Sequence, residues 1–209
     1  MSRFKFPLGQ KVYLHKQIIE LFSRKKTIHV IDTKHNHSKQ LFSTSFDNVH
    51  QIGSDFNIYS TDYLRKTKQK PSDLIWLDYC RSPKAPFVDD DLQLCKTNVV
   101  LCTFSMRGCP NWKYKINYLG KKSGYKVSWI YHYHDTSPML LVCYYKGIKK
   151  PRKIFNPVGK TYQFRYKNKW YSRKCKKILL GPKTDPVLYF KFRDSNEPII
   201  NCKLVTKYV

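Results

Sequence analysis

Residues 73–80 read Asp-Leu-Ile-Trp-Leu-Asp-Tyr-Cys, four apolar side chains in a row followed by an acid and an aromatic. So short and apolar a run suits a strand buried inside a sheet and closed by a polar end. In an open α/β sheet, ligands sit outside the carboxyl ends of the strands. Asp78 and Tyr79 fall at that position and are the first candidates for a site. Asn98–Phe104 (NVVLCTF) is a second run of the same kind, read as a strand buried on both faces.

The flanking pattern fits this reading. Residues 12–24 place Val12, Ile18, Ile19, Leu21 and Phe22 at mostly helical spacing. Thr27–Asp32 is a strand candidate ending in an acid, and His37–Ser43 a helix. Asn48–Ile52 is a further strand, closed by Gly53-Ser54-Asp55. Phe56–Tyr59 is short and extended, and Thr61–Lys66 begins a helix or turn. Asp89-Asp90-Asp91 opens a short helix, where acids suit the positive helix end. From residue 105 to 125 the chain reads as a basic stretch carrying Trp112, Tyr114 and Tyr118. Tyr125–Tyr133 and Met139–Tyr145 are close enough to form a hairpin.

The predicted fold class is thus α/β: a mostly parallel, Rossmann-like sheet closed by an antiparallel terminal hairpin. Residues 1–146 form this domain and 147–157 a linker carrying two prolines. Residues 158–209 hold only short β-like runs separated by turn residues, which reads as a small antiparallel barrel.

Charge is the next constraint. With 40 Lys+Arg against 14 Asp+Glu the formal net charge is +26 over 209 residues. Such a balance attracts polyanions, so DNA or RNA is the expected partner. A hydrophobic fraction of 41% excludes a disordered basic tail. No apolar run approaches the ~20 residues that span a bilayer, and no amphipathic basic helix points to a membrane surface, so no membrane partner is expected. The seven cysteines form no C-x-x-C pair, which argues against a zinc ribbon and for buried reduced thiols. No signal peptide is read at the start. The expected setting is intracellular, nuclear or virion-associated, and not secreted.

The ordered set Asp32, Asp62, Asp78-Tyr79-Cys80 and Thr103-Phe104-Ser105-Met106-Arg107 resembles class I S-adenosylmethionine-dependent methyltransferases across roughly residues 12–146. Its most specific segment is DLIWLDYC with VVLCTFSMR about twenty residues later. The resemblance implies a parallel sheet with a reversed seventh strand, and S-adenosylmethionine as cofactor. It puts Asp32 and Thr33 in the first cofactor loop, Asp55 near the ribose hydroxyls and Asp62 near the adenine. Asp78 and Tyr79 would face methyl transfer, bordered by Ser105 and Arg107. Two positions depart from the family pattern. The loop after Asp32 carries no glycine for close cofactor approach, and Arg81 stands where the pattern has Gly. The segment 158–209 resembles a Tudor-like or chromo-like SH3-type barrel, on Val158-Gly159-Lys160, Trp170-Tyr171 and Tyr189–Asp194. Residues 147–209 carry 17 Lys+Arg and 3 Asp+Glu, a net of +14, which favours nucleic acid over a cationic peptide as its ligand.

Several residues have a plainer reading. Asp62 is equally an N-cap. Asp89–Asp91 read as a solvated helix start, not a metal site. His35 with His37, and His132 with His134, alternate as metal ligands do, but lack an accompanying Cys or acid set, so no metal is expected. Cys80 reads as a buried strand-end thiol. Arg107, Trp112, Lys113, Lys121, Lys122, Lys169, Trp170 and Arg173 interleave aromatics with cations, which suits stacking on bases and neutralising phosphates. Two functions fit. One is a nucleic-acid-associated methyltransferase. The other is a catalytically inactive methyltransferase-fold protein that binds nucleic acid or serves as a virion scaffold.

Overall fold

The structure is a computed structural model. It describes residues 9–22, 24, 26–31, 37–52, 59–134, 137–147, 149–166, 168–180, 186–190, 199–201 and 207–208. The chain divides into two compact units, one of Ile18–Ile154 and one of Met1–Gln17 with Phe155–Val209.

The larger unit is built on a six-stranded sheet of order β2-β1-β3-β4-β6-β5. Its strands are β1 (Thr27–Ile31), β2 (Asn48–Ile52), β3 (Leu74–Arg81), β4 (Val99–Ser105), β5 (Lys126–His134) and β6 (Pro138–Tyr145). β1 pairs in parallel with β2 and β3, and β3 in parallel with β4. β6 runs antiparallel to both β4 and β5. This is a Rossmann-like mixed sheet. A reversed strand set into an otherwise parallel layer is the arrangement that the methyltransferase resemblance implies.

Helices α2 (His37–Phe42), α3 (Tyr59–Lys66), α4 (Pro86–Leu94) and α5 (Trp112–Lys122) cover the sheet. Alternation along β3 divides its side chains between two cores. Ile75, Leu77 and Tyr79 pack with Leu64 of α3 and with Val88 and Leu92 of α4. Trp76 points the other way, its ring 5.6 Å from Phe42 of α2. All seven residues of β4 are buried, so its sequence reads as continuous apolar and small polar groups instead of an alternating pattern.

Two elements differ from the sequence reading. α4 begins at Pro86, three residues before the predicted start, because proline is pre-set for the first helical position and has no N–H to waste there. Asp91 consequently lies on the inner face of α4 and is fully buried, not solvated. α5 fills the segment read only as a basic stretch. Its core residues Trp112, Ile116 and Leu119 recur at helical spacing. The exposed Tyr114 and Tyr118 between them disguise that period.

Gly120 lets α5 approach the sheet. A Cβ there would lie 3.0 Å from the Tyr125 carbonyl oxygen and 3.1 Å from the Tyr144 ring. Gly120→Ala is therefore expected to lower the melting temperature despite the better helix propensity of alanine. Overpacking costs about 1–3 kcal/mol, against a propensity gain of roughly 1 kcal/mol. A variant that melts higher than the parent would show that the neighbouring ring yields easily.

The smaller unit holds a five-stranded antiparallel sheet of order β10-β9-β8-β7-β11. The strands are β7 (Thr161–Tyr166), β8 (Lys169–Leu180), β9 (Pro186–Phe190), β10 (Ile199–Asn201) and β11 (Lys207–Tyr208). β8 pairs with β7 along its first half and with β9 along its second, with an irregularity between Cys175 and Lys177. Tyr162, Phe164, Cys175, Ile178, Leu188 and Phe190 form its core, and Tyr13 of α1 (Gly9–Phe22) packs on it. Among the described residues no pairing between the two outer strands, β10 and β11, closes this sheet into a barrel.

Candidate functional site

β1 leads through α2 to β2 on one side, while β3 leads through α4 to β4 on the other. The strand order thus reverses between β1 and β3. This is where an open α/β sheet leaves a crevice at its carboxyl ends. Asp78 sits there, one residue past the paired level of Leu77 and Cys102. It is 7% exposed and accepts a hydrogen bond from the hydroxyl of Thr103, its partner across the strands. Beyond Asp78 the register shifts, and Arg81, exposed, pairs with Phe104.

Tyr79 does not face this crevice. Strand alternation turns it to the opposite face, where it stacks on Phe104 with ring centroids 5.9 Å apart. Its hydroxyl donates to Asp91 Oδ2 at 2.9 Å. Asp91 also accepts from Ser60 Oγ and Thr61 Oγ1, each at 2.7 Å. Burial raises the Asp91 pKa, and these three hydroxyl donors pull it back toward ionisation. Burial, reinforced by the Asp91 charge, pushes Tyr79 well above the ordinary phenol range. In the structure Tyr79 is thus part of a buried polar junction between β3, α3 and α4, on the face away from Asp78. The aspartate triplet gave no hint of it, because the helix start decides which of the three acids turns inward.

Asp62 lies within α3, not before it, and has a loose ion pair with Arg65 at 3.8 Å. Asp32, Thr33 and Asp55 lie outside the described residues, as do His35 and the side chains of Cys80 and His134. Among the described residues no three His, Cys, Asp or Glu side chains gather as a metal site needs. Cys95, Cys102, Cys109, Cys143 and Cys175 are buried thiols.

S-adenosylmethionine needs acceptors for its ribose diol and amino group, and room for close backbone approach. At the described strand ends Asp78 is buried against Thr103, Tyr79 is turned away, and Arg81 is a bulky cation where the family pattern has glycine. Thr103→Val is expected to cost about 1–3 kcal/mol in urea unfolding, since it leaves a buried carboxylate short of a donor. An unchanged stability would mean that Asp78 is solvated and open to ligand.

The residues expected to contact nucleic acid fall in both units. On the first, Trp112 stands edge-on to His132 at 5.2 Å, with Lys113 Nζ 5.5 Å from its ring. Partial desolvation, then Lys113 and Lys153, lower the pKa of His132, as expected of an imidazole in a positive field. On the same helix, Tyr114 (73% exposed) and Tyr118 (43% exposed) stack with centroids 6.4 Å apart, and Lys115 Nζ lies 5.0 Å from the Tyr118 ring. Lys121 is exposed. Lys122 gives its charge to Asp89 in an ion pair. Arg107 is exposed in the loop between β4 and α5.

On the second unit Trp170 is 66% exposed and stands opposite Arg165 on β7. Lys174 lies further along β8 on the same outward face. Lys169 and Arg173 fall on the other face of β8, and Arg173 covers Tyr171 at 5.8 Å. Sequence reading missed Arg165, whose only signal is the hairpin around Asn168, at φ 61°.

No protein-family model matches the chain, and no curated protein matches its sequence. Among solved structures it is similar to an uncharacterized protein of Listeria monocytogenes serotype 4b, with TM-score 0.40 and 7% identity over 69% of this chain and 71% of that one. It is also similar to the 16S rRNA N2 G1207 methyltransferase of T. thermophilus, solved with AdoMet and guanosine, with TM-score 0.34 and 8% identity. That likeness covers 81% of this chain and about half, 49%, of the other.

Proposed function

We propose that this chain binds nucleic acid and uses its Rossmann-like, methyltransferase-like layer as a scaffold, not as a catalyst. The observation that carries the reading is α5. It exposes Tyr114 and Tyr118 beside Lys113, Lys115 and Lys121 in a chain of net charge +26. Exposed aromatic rings cost solvation unless something covers them, and bases stack on such rings while cations hold the adjoining phosphates. Trp170 with Arg165 and Lys174 offers the same chemistry on the other unit. A genome-coating or virion-associated role suits a protein of this charge.

Two titrations test the reading. A fluorescent single-stranded oligonucleotide should bind, as followed by anisotropy. Millimolar S-adenosylmethionine should leave the melting temperature unchanged and give no heat. A clear thermal shift with S-adenosylmethionine would restore the methyltransferase reading. Absence of oligonucleotide binding at low salt would remove the present one.

A further inference from the structure

A cavity of about 450 Å³ opens at the amino ends of β1, β2 and β3, the edge opposite the crevice at Asp78. Arg24, Lys26 and Lys70 supply three cations to its lining, and Thr27, Asn48 and Ser72 supply neutral polar groups. Among the described residues no aliphatic or aromatic side chain lines it. An apolar ligand, or a stacked base, has nothing to pack against there.

Asp73 supplies the one carboxylate of this lining, and its Oδ2 is engaged by neighbouring groups of the protein. Asp73 Oδ2 accepts the Lys70 backbone N–H at 2.8 Å and lies 3.3 Å from His29 Nε2. His29 Nδ1 lies 3.1 Å from the Tyr63 hydroxyl oxygen, so the imidazole bridges Asp73 and Tyr63. Burial lowers the His29 pKa, and Asp73 opposes that.

Backbone hydrogen bonds anchor two of the cation-bearing positions. Asn48 N–H donates to the Lys26 carbonyl at 2.9 Å, and Asp73 N–H to the Lys70 carbonyl at 3.0 Å. Among the described residues, Arg24, Lys26 and Lys70 have no ion-pair partner. Three cations that have no ion-pair partner among the described residues thus line one polar hollow, and holding them together is unfavourable without an anion.

We propose that this pocket binds a phosphate group. A nucleic-acid strand and a free phosphate compound present the same chemistry, and both are sources for it. The proposal does not depend on α5 or on the nucleic-acid reading.

The test uses the full chain, inorganic pyrophosphate in calorimetry and a single-stranded oligonucleotide in anisotropy. Lys26→Glu with Lys70→Glu is compared with Lys84→Glu with Lys96→Glu, an equal charge change at exposed lysines elsewhere. The pocket variant should weaken pyrophosphate at least about tenfold, the equivalent of roughly one strong charge-assisted hydrogen bond, while the control moves it far less. If the pocket variant also weakens the oligonucleotide more than the control does, the phosphate comes from a strand. If both variants weaken it equally, the phosphate is a free one. Should the double variant not fold, Arg24→Gln carries the same expectation. Equal weakening of pyrophosphate in the pocket and control variants, or no pyrophosphate binding by the parent, would overturn the proposal. Pyrophosphate binding without oligonucleotide binding would remove the nucleic-acid reading and leave the pocket standing.

Discussion

Replacing Asp91 by alanine should destabilise the larger unit by about 3–5 kcal/mol, the largest single loss expected for a polar side chain among the described residues. The carboxylate accepts three hydroxyl hydrogen bonds at 2.7–2.9 Å and is fully buried. Its removal strands the hydroxyls of Ser60, Thr61 and Tyr79 in a space that water does not readily enter. Asp91→Asn keeps the shape and one acceptor and should cost less. Tyr79→Phe removes a single donor and should cost about 1 kcal/mol. Urea unfolding followed by tryptophan fluorescence measures all three. A loss below about 1 kcal/mol for alanine, no more than an ordinary hydrogen bond contributes, would mean that the junction relaxes or hydrates.

The same residue sets a pH trend. Because burial raises the Asp91 pKa, the folded chain holds that proton at pH values where the unfolded chain has lost it. Stability from this group should therefore fall as pH rises from the ordinary carboxylate value through the raised one. In Asp91→Asn that part of the decline should be absent.

Much of the layer order was legible because periodicity and burial coincide there. The run Leu74–Leu77 has no polar residue to hide its strand, and the strand expected over Asn48–Ile52 coincides with β2. The carboxyl-end position of Asp78 followed from the same reasoning. What stayed hidden was set by direction, not by type. Tyr79 follows an acid and looked like a site residue, yet a period of two sends neighbours to opposite faces. Asp91 looked solvated because two acids precede it, and only the start of α4 at Pro86 determines which acid faces in. α5 was hidden because the exposed Tyr114 and Tyr118 sit among its core residues and mask the amphipathic stripe. These tyrosines are apolar enough to suggest a core and exposed enough to suggest a partner.

The second large effect concerns those rings. Tyr114→Ala with Tyr118→Ala should weaken single-stranded oligonucleotide binding by about tenfold or more, since base–aromatic stacking contributes about 1–3 kcal/mol per base. The salt dependence should stay the same, because no charge changes. Lys113→Ala with Lys121→Ala should do the reverse. Affinity would fall mainly at low salt, and the slope of log K against log salt would shrink by about 0.7 for each phosphate no longer neutralised. Lys122→Ala should change little, as its ion pair with Asp89 already takes up its charge. Equal responses from the tyrosine and lysine pairs would mean that α5 does not touch the strand.

The most direct measurement is the affinity of the full chain for a single-stranded oligonucleotide across a salt series. Electrostatic binding through about six or more phosphates predicts at least about a hundredfold weakening between roughly 50 and 200 mM monovalent salt. Affinity that stays flat across that range, or binding that is absent at its low end, would contradict a nucleic-acid role for this charge.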